Sequence, residues 1–153
     1  MAFAVCLASG LRQAEAMALR WGDVNFTEGV ITVRRTFTRH GESRTTDPKS
    51  GQRREVFVTD DLLGPLAEWE QELGRPSDGS LVLPGPDGGY LSPFVLLRQL
   101  RAAMKAAGVP ELHPKTGTKR NWHSLRHSYG RKFYRAGRAS PGFRANSGIA
   151  PLA

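Results

Sequence analysis

Asn121-Trp122-His123-Ser124-Leu125-Arg126-His127-Ser128-Tyr129 sets two imidazoles, a guanidinium and a phenol in what reads as the first turns of a helix. Leu125, Tyr129 and Phe133 form an apolar stripe that carries this helix from His123 to Ala136, with Gly137 closing it. Residues three apart on a helix are neighbours, so His123 and Arg126 are expected to point the same way. A proton carrier beside a permanent planar cation suits a phosphate. Arginine grips two oxygens in a fork, and histidine donates or shuttles a proton. The pattern HxxR alone is weak, because a solvated helix face with incidental polar residues reads the same.

The stretch before it, Val109 to Asn121, is an irregular basic loop holding His113, Lys115, Lys119 and Arg120. Charge along the chain is uneven. Met1 to Leu112 carries 13 Lys and Arg against 14 Asp and Glu; His113 to Ala153 carries 9 basic residues and no acid, and the whole chain nets +8. A surface of that sign favours a polyanion, with nucleic acid first, and makes Lys115, Lys119, Arg120 and Arg131 candidate phosphate contacts. A solubilising basic tail would give the same total, but apolar residues at helical spacing run through the basic stretch.

Further upstream the elements alternate. Ala2 to Ala8 is a short buried helix broken by Ser9-Gly10, and Leu11 to Leu19 reads as a second helix with Leu11, Ala14, Met17 and Ala18 inward. Arg12 opens it, with Glu15 three residues on as a local partner. Val30 to Phe37 is a β-branched strand, Ser43 to Thr46 its return, and Glu55 to Val58 a third strand. Asp47-Pro48-Lys49-Ser50-Gly51 is a tight turn that sets Lys49 at a hairpin tip, where an ordinary exposed lysine is equally at home. Asp60 is a fair N-cap for a helix from Asp61 to Leu73 with Leu62, Leu63, Leu66, Trp69 and Leu73 inward. Leu81-Val82-Leu83 reads as a short buried strand. Ser92-Pro93 starts a helix that runs to Ala107 on Leu96, Leu97, Leu100 and Met104. The expected fold is α+β, mostly helical with a small antiparallel three-stranded sheet.

A chain of 153 residues can bury one sizeable core. One cysteine, Cys6, precludes an internal disulfide framework, fits a reducing compartment, and sits in an apolar run as a core residue would. No apolar run is long enough to span a membrane. No histidine or cysteine spacing suits a metal, so no metal site is expected.

Four features stand in order: Ser9-Gly10-Leu11-Arg12-Gln13-Ala14-Glu15-Ala16-Met17-Ala18-Leu19-Arg20-Trp21-Gly22-Asp23-Val24-Asn25, then Pro48-Lys49-Ser50-Gly51, then Arg54-Glu55-Val56-Phe57-Val58, and last His123 to Tyr129. Together they resemble the catalytic domain of the tyrosine recombinases, the phage-integrase family, over roughly Ala2 to Gly137. The resemblance implies enzymes that cut and rejoin double-stranded DNA through a covalent 3′-phosphotyrosine, without metal or nucleotide, acting beside other protomers on DNA in a bacterial-type cytoplasm. By position, Arg12 matches the first arginine on the scissile phosphate and Glu15 the acid that supports it. Lys49 matches the hairpin lysine that protonates the leaving 5′-oxygen. His123 matches the proton carrier, and Arg126 the second phosphate clamp.

The same resemblance implies a further His or Trp and then a nucleophilic tyrosine after residue 137. The tyrosines present are Tyr90, Tyr129 and Tyr134, all before that place, so no nucleophile is assigned. Arg138 to Ala153 lacks helical or strand period and is expected to be a poorly ordered tail beyond a partial catalytic domain of residues 1–137. The reading expects truncation at both ends and a frameshift near Ala139–Pro141, which a Q-x-G-H segment in another reading frame of the gene would reveal. Expected function is DNA binding within recombination or integration, without cleavage. The alternative is a non-enzymatic DNA-binding module, or a decayed remnant, that interferes with an intact recombinase.

Overall fold

The computed structural model describes residues 1–38, 44–46 and 54–135, with the backbone alone at 44–46 and 132–135. Lys49, Ala136, the Phe133 side chain and the tail from Arg138 lie outside this description. Helix α1 (Ala2–Ser9) buries Ala2, Val5, Cys6 and Ser9. Burial and the nearby Glu15 charge push the Cys6 thiol up to about 12, as suits a core residue. The helix ends where Gly10 turns left-handed, at φ 66°, with its N–H donating to the Cys6 carbonyl.

The second helix is shorter than its apolar stripe predicts. Helix α2 spans only Gln13–Met17. At its start the Arg12 backbone is extended and its N–H donates to Glu15 Oε2 at 2.8 Å, which makes Arg12 the cap rather than a helical residue. At its end the Leu19 carbonyl accepts from the Val82 N–H at 2.9 Å and the Trp21 N–H donates to Ser80 O. Just before that pairing the Ala18 and Leu19 N–H groups bond back only three residues, to Glu15 O and Ala16 O, so the helix tightens and ends. The same pairing accounts for Leu81-Val82-Leu83. These residues are buried, but they make a single bridge between Leu81 and Arg20 instead of the expected strand.

The expected strand over 30–37 is two strands. β1 (Val24–Asn25), β2 (Val30–Val33) and β5 (Arg54–Phe57) form the antiparallel three-stranded sheet, in the order β1-β2-β5. β3 (Thr36–Thr38) pairs separately with β4 (Arg44–Thr46). Between β2 and β3, Arg34 and Arg35 both turn onto Asp23. Arg35 Nη1 donates to Oδ2 at 2.6 Å, and Arg34 Nε lies 3.3 Å from Oδ1. Consecutive side chains on a flat strand point to opposite faces, so two adjacent arginines reach one buried carboxylate only where the strand breaks. Among the described residues the third strand pairs with β2, Val33 opposite Arg54, while β4 pairs with β3.

Ile31, Val33 and Val56 pack the sheet onto the helices. α3 (Asp60–Glu72) has Thr59 rather than Asp60 at its N-cap position, without a side-chain bond; Leu62 and Leu66 are fully buried, and Trp69 Nε1 donates to Val82 O. α4 (Pro93–Ala106) buries Leu96, Leu100 and Met104. Ser92 Oγ accepts from the Phe94 N–H, so Ser92→Ala is expected to cost about 1 kcal/mol, read as a shift of the urea-unfolding midpoint. α5 (Trp122–Arg135) lies against α1, with the Phe3 and Trp122 rings edge to face at 6.5 Å. The chain is thus α+β, with α5 returning 116 residues later to the start of the fold.

Candidate functional site

Three guanidiniums gather around the break between α1 and α2. Glu15, on the first turn of α2, is 1% exposed and pairs with two of them, Arg12 and Arg54. Arg54, the first residue of β5, forks onto it, with Nη1 to Oε1 at 2.8 Å and Nη2 to Oε2 at 2.6 Å. The Arg12 N–H takes Oε2, and Arg12 Nη1 reaches Oε1 at 3.1 Å. The carboxylate thus accepts four hydrogen bonds, about its full capacity. Burial alone would raise its pKa; the Arg54 fork and charge, with the Arg12 N–H and charge, outweigh that and hold it below the ordinary range.

Arg126 enters from α5 and donates through Nη1 to the Gly10 carbonyl at 2.6 Å. Burial lowers its pKa first, then repulsion from Arg12 and Arg54, against the pull of Glu15 and Tyr129. An arginine stays charged even so. Among the described residues, three guanidiniums and one carboxylate stand at this turn, and the Arg12 side chain is 58% exposed. Gly10 makes the approach of α5 feasible, because a Cβ there would overlap the Tyr129 ring.

Of the sequence-predicted residues, Arg12, Glu15 and Arg126 are brought together. His123 stands one turn before Arg126 but is exposed, and its ring meets that of His127 perpendicularly at 4.5 Å, while Arg126 turns inward to Gly10. Burial, then the charges of His123, Arg131 and Arg126, lower the pKa of His127. Lys49 falls between β4 and β5, outside the described residues. Lys115 and Lys119 are exposed on a turn closed by the His113 N–H to Thr118 O and the Gly117 N–H to His113 O. Arg120 Nη1 donates to the Pro110 and Leu112 carbonyls and braces that turn. Arg131 is exposed on α5. Tyr129 is buried against Gly10, and the Tyr90 ring packs on Phe37 at 5.1 Å.

Arg54 is the residue that sequence reasoning did not place in the site. It lies 39 residues from Glu15 and heads an ordinary alternating strand, so no local spacing links the two. Only the pairing of β5 with β2 delivers it there. Among the described residues no helix is long and apolar enough to cross a membrane.

The family model described as the phage integrase family matches residues 1–140. The tyrosine recombinase XerC of Xanthomonas axonopodis pv. citri is 31% identical over 126 residues, covering 82% of this chain and 34% of that protein. The chain therefore spans about a third of the length of the relatives it matches. Among solved structures, the Tn1549 transposon integrase in complex with transposon right-end DNA superposes with a TM-score of 0.70 at 21% identity, over 90% of this chain and 46% of that one. The XerH site-specific recombinase bound to its difH substrate gives 0.64 at 22% identity, over 88% and 35%. With the Arg12–Glu15 and Arg126 positions inside the matched region, the chain belongs to the phage integrase family, the tyrosine recombinases.

Proposed function

We propose that residues 1–137 are the part of a DNA strand-exchange domain that holds the phosphate to be transferred, with Arg12 and Arg126 as the clamp and Glu15 as its support. The observation that carries this reading is the cluster itself: two arginines from opposite ends of the chain meet at one backbone turn, and Arg12 is 58% exposed there. A phosphodiester in transfer spreads negative charge over its non-bridging oxygens. Guanidiniums already fixed around it stabilise that state more than the ground state. In this reading Lys49 protonates the leaving 5′-oxygen, His123 carries the proton of the attacking group, and Lys115, Lys119, Arg120 and Arg131 contact backbone phosphates beside the reacting one. The partners are duplex DNA and other recombinase protomers. Contacts to phosphate position a protein on DNA without reading its sequence.

The test is fluorescence anisotropy of a labelled DNA duplex across a salt series. Each phosphate contact adds about 0.9 to the steepness with which affinity falls with salt, equivalent to about fivefold at 0.15 M. Arg12→Ala and Arg126→Met should each flatten the slope by about one and weaken binding about fivefold. Unchanged slopes in both variants would remove the reading.

Chemistry by these 153 residues alone is not proposed. The packing of Tyr129 and Tyr90 supports a chain that binds without forming a phosphotyrosine. A nicked duplex that traps covalent adducts should yield none, and an adduct would overturn this. The same packing favours a second reading, in which the chain competes with an intact recombinase. Mixed with a full-length relative on one duplex, it should slow strand exchange; an unaffected rate would rule that reading out.

A further inference from the structure

We propose that Arg54 is a positioning residue that keeps Arg12 available to an anion by occupying the Glu15 carboxylate. The inference rests on the phosphate-clamp reading above and assigns a role to a residue which that reading leaves out. Glu15 is almost wholly buried and ionised, so it must be paired. Arg54 and Arg12 reach it, and they do so unequally. Arg54 gives it both ends of its fork, at 2.6 and 2.8 Å, and is itself 25% exposed. Arg12 spends one Nη1 bond of 3.1 Å and remains 58% exposed. A guanidinium with both terminal nitrogens on a carboxylate has little left for a phosphate. One held by a single longer bond keeps most of its donors for one.

Competition follows from this geometry. Without Arg54, the buried carboxylate would have two lone-pair positions open and one cation within reach on its own helix turn. Arg12 would fold inward to fill them, and the clamp would lose one jaw although neither Arg12 nor Arg126 had changed. Arg54 holds its place because β5 pairs with β2, Arg54 opposite Val33. The ion pair therefore fastens the strand that follows residues 47–53 to the helix turn that carries Arg12.

The experiment uses the full chain and the same labelled duplex and salt series, at a temperature where near-ultraviolet circular dichroism shows every variant folded. Arg54→Met should flatten the salt slope by about one and weaken binding about fivefold at 0.15 M, as Arg12→Ala does. In Arg12→Ala, adding Arg54→Met should change little more. The double variant Glu15→Gln with Arg54→Met has the parent's formal charge and no carboxylate to capture Arg12, so its slope should return to that of the parent. Arg54→Lys, which offers one bond where the fork offers two, should fall between. An unchanged slope in Arg54→Met, where Arg12→Ala lowers it, overturns the proposal and leaves the clamp standing. A loss that persists in the double variant also overturns it, by making Arg54 a direct DNA ligand. The absence of any effect in Arg12→Ala overturns this proposal, and its absence in Arg126→Met besides removes the clamp as well.

Discussion

Gly10→Ala is expected to destabilise the chain by roughly 2–5 kcal/mol, a large part of what a domain of this size holds. Two costs add. Gly10 sits at φ 66°, where a side chain costs about 1–2 kcal/mol. Its Cα also faces the Tyr129 ring so closely that a methyl group would overlap it, which costs about 1–3 kcal/mol as overpacking does. Tyr129, on α5, is buried where that helix meets α1, so the ring can give way only by disturbing this packing. Urea unfolding reads the loss, and the Tyr129→Ala background separates its parts. There the same Gly10→Ala change should cost only the backbone share, about 1–2 kcal/mol. An equal cost in both backgrounds would show that the ring is no obstacle. Displacing this turn also carries the Gly10 carbonyl away from Arg126, so duplex binding should fall with stability.

Glu15→Ala is the second large effect, with an expected loss of about 2–4 kcal/mol at pH 7. Removing one partner of a buried ion pair typically costs about 3–5 kcal/mol, because the remaining charge is left uncompensated. Here the remaining charges are partly wet, Arg54 at 25% and Arg12 at 58% exposure, which reduces the penalty. The Arg12 N–H also loses its acceptor and α2 its cap.

The Glu15 ion pair also gives stability a dependence on pH. The folded-state pKa of Glu15 lies below the ordinary value of 4.5, so the unfolded chain takes up the proton first. Its contribution is therefore whole above 4.5 and is lost as pH falls from there through the folded value. Urea midpoints between pH 5 and 3 should decline in the parent more steeply than in Glu15→Gln. Equal slopes would mean that the carboxylate is not held ionised by its arginines.

What was legible in the sequence had local causes. Gly10 ends α1, Ser92-Pro93 starts α4, and the 3.6-residue period of Leu125 and Tyr129 makes α5, each through bonds within a few residues. Two errors share a different cause. The apolar stripe of 11–19 runs past the end of α2 because the helix tightens at Ala18 and Leu19 before the chain pairs with Ser80–Val82, and the alternation of 30–37 runs through a break that the buried Asp23 imposes.

The site divides the same way. Arg12, Glu15, His123 and Arg126 stand out by spacing and by resemblance, since the chemistry of each motif is written within a turn or two of helix. Side-chain direction is not written there. His123 and Arg126 share a helix, yet one meets His127 in solvent and the other turns inward to the Gly10 carbonyl, because α1 covers only one side of α5. Short-range spacing carried the family, the α+β class and two of the site's cations, Arg12 and Arg126, but not Arg54. That Arg54 gives Glu15 both ends of its fork while Arg12 gives one side-chain bond came from the fold, because it depends on which strand lies beside β2, and strand pairing is settled by burial across the whole sheet.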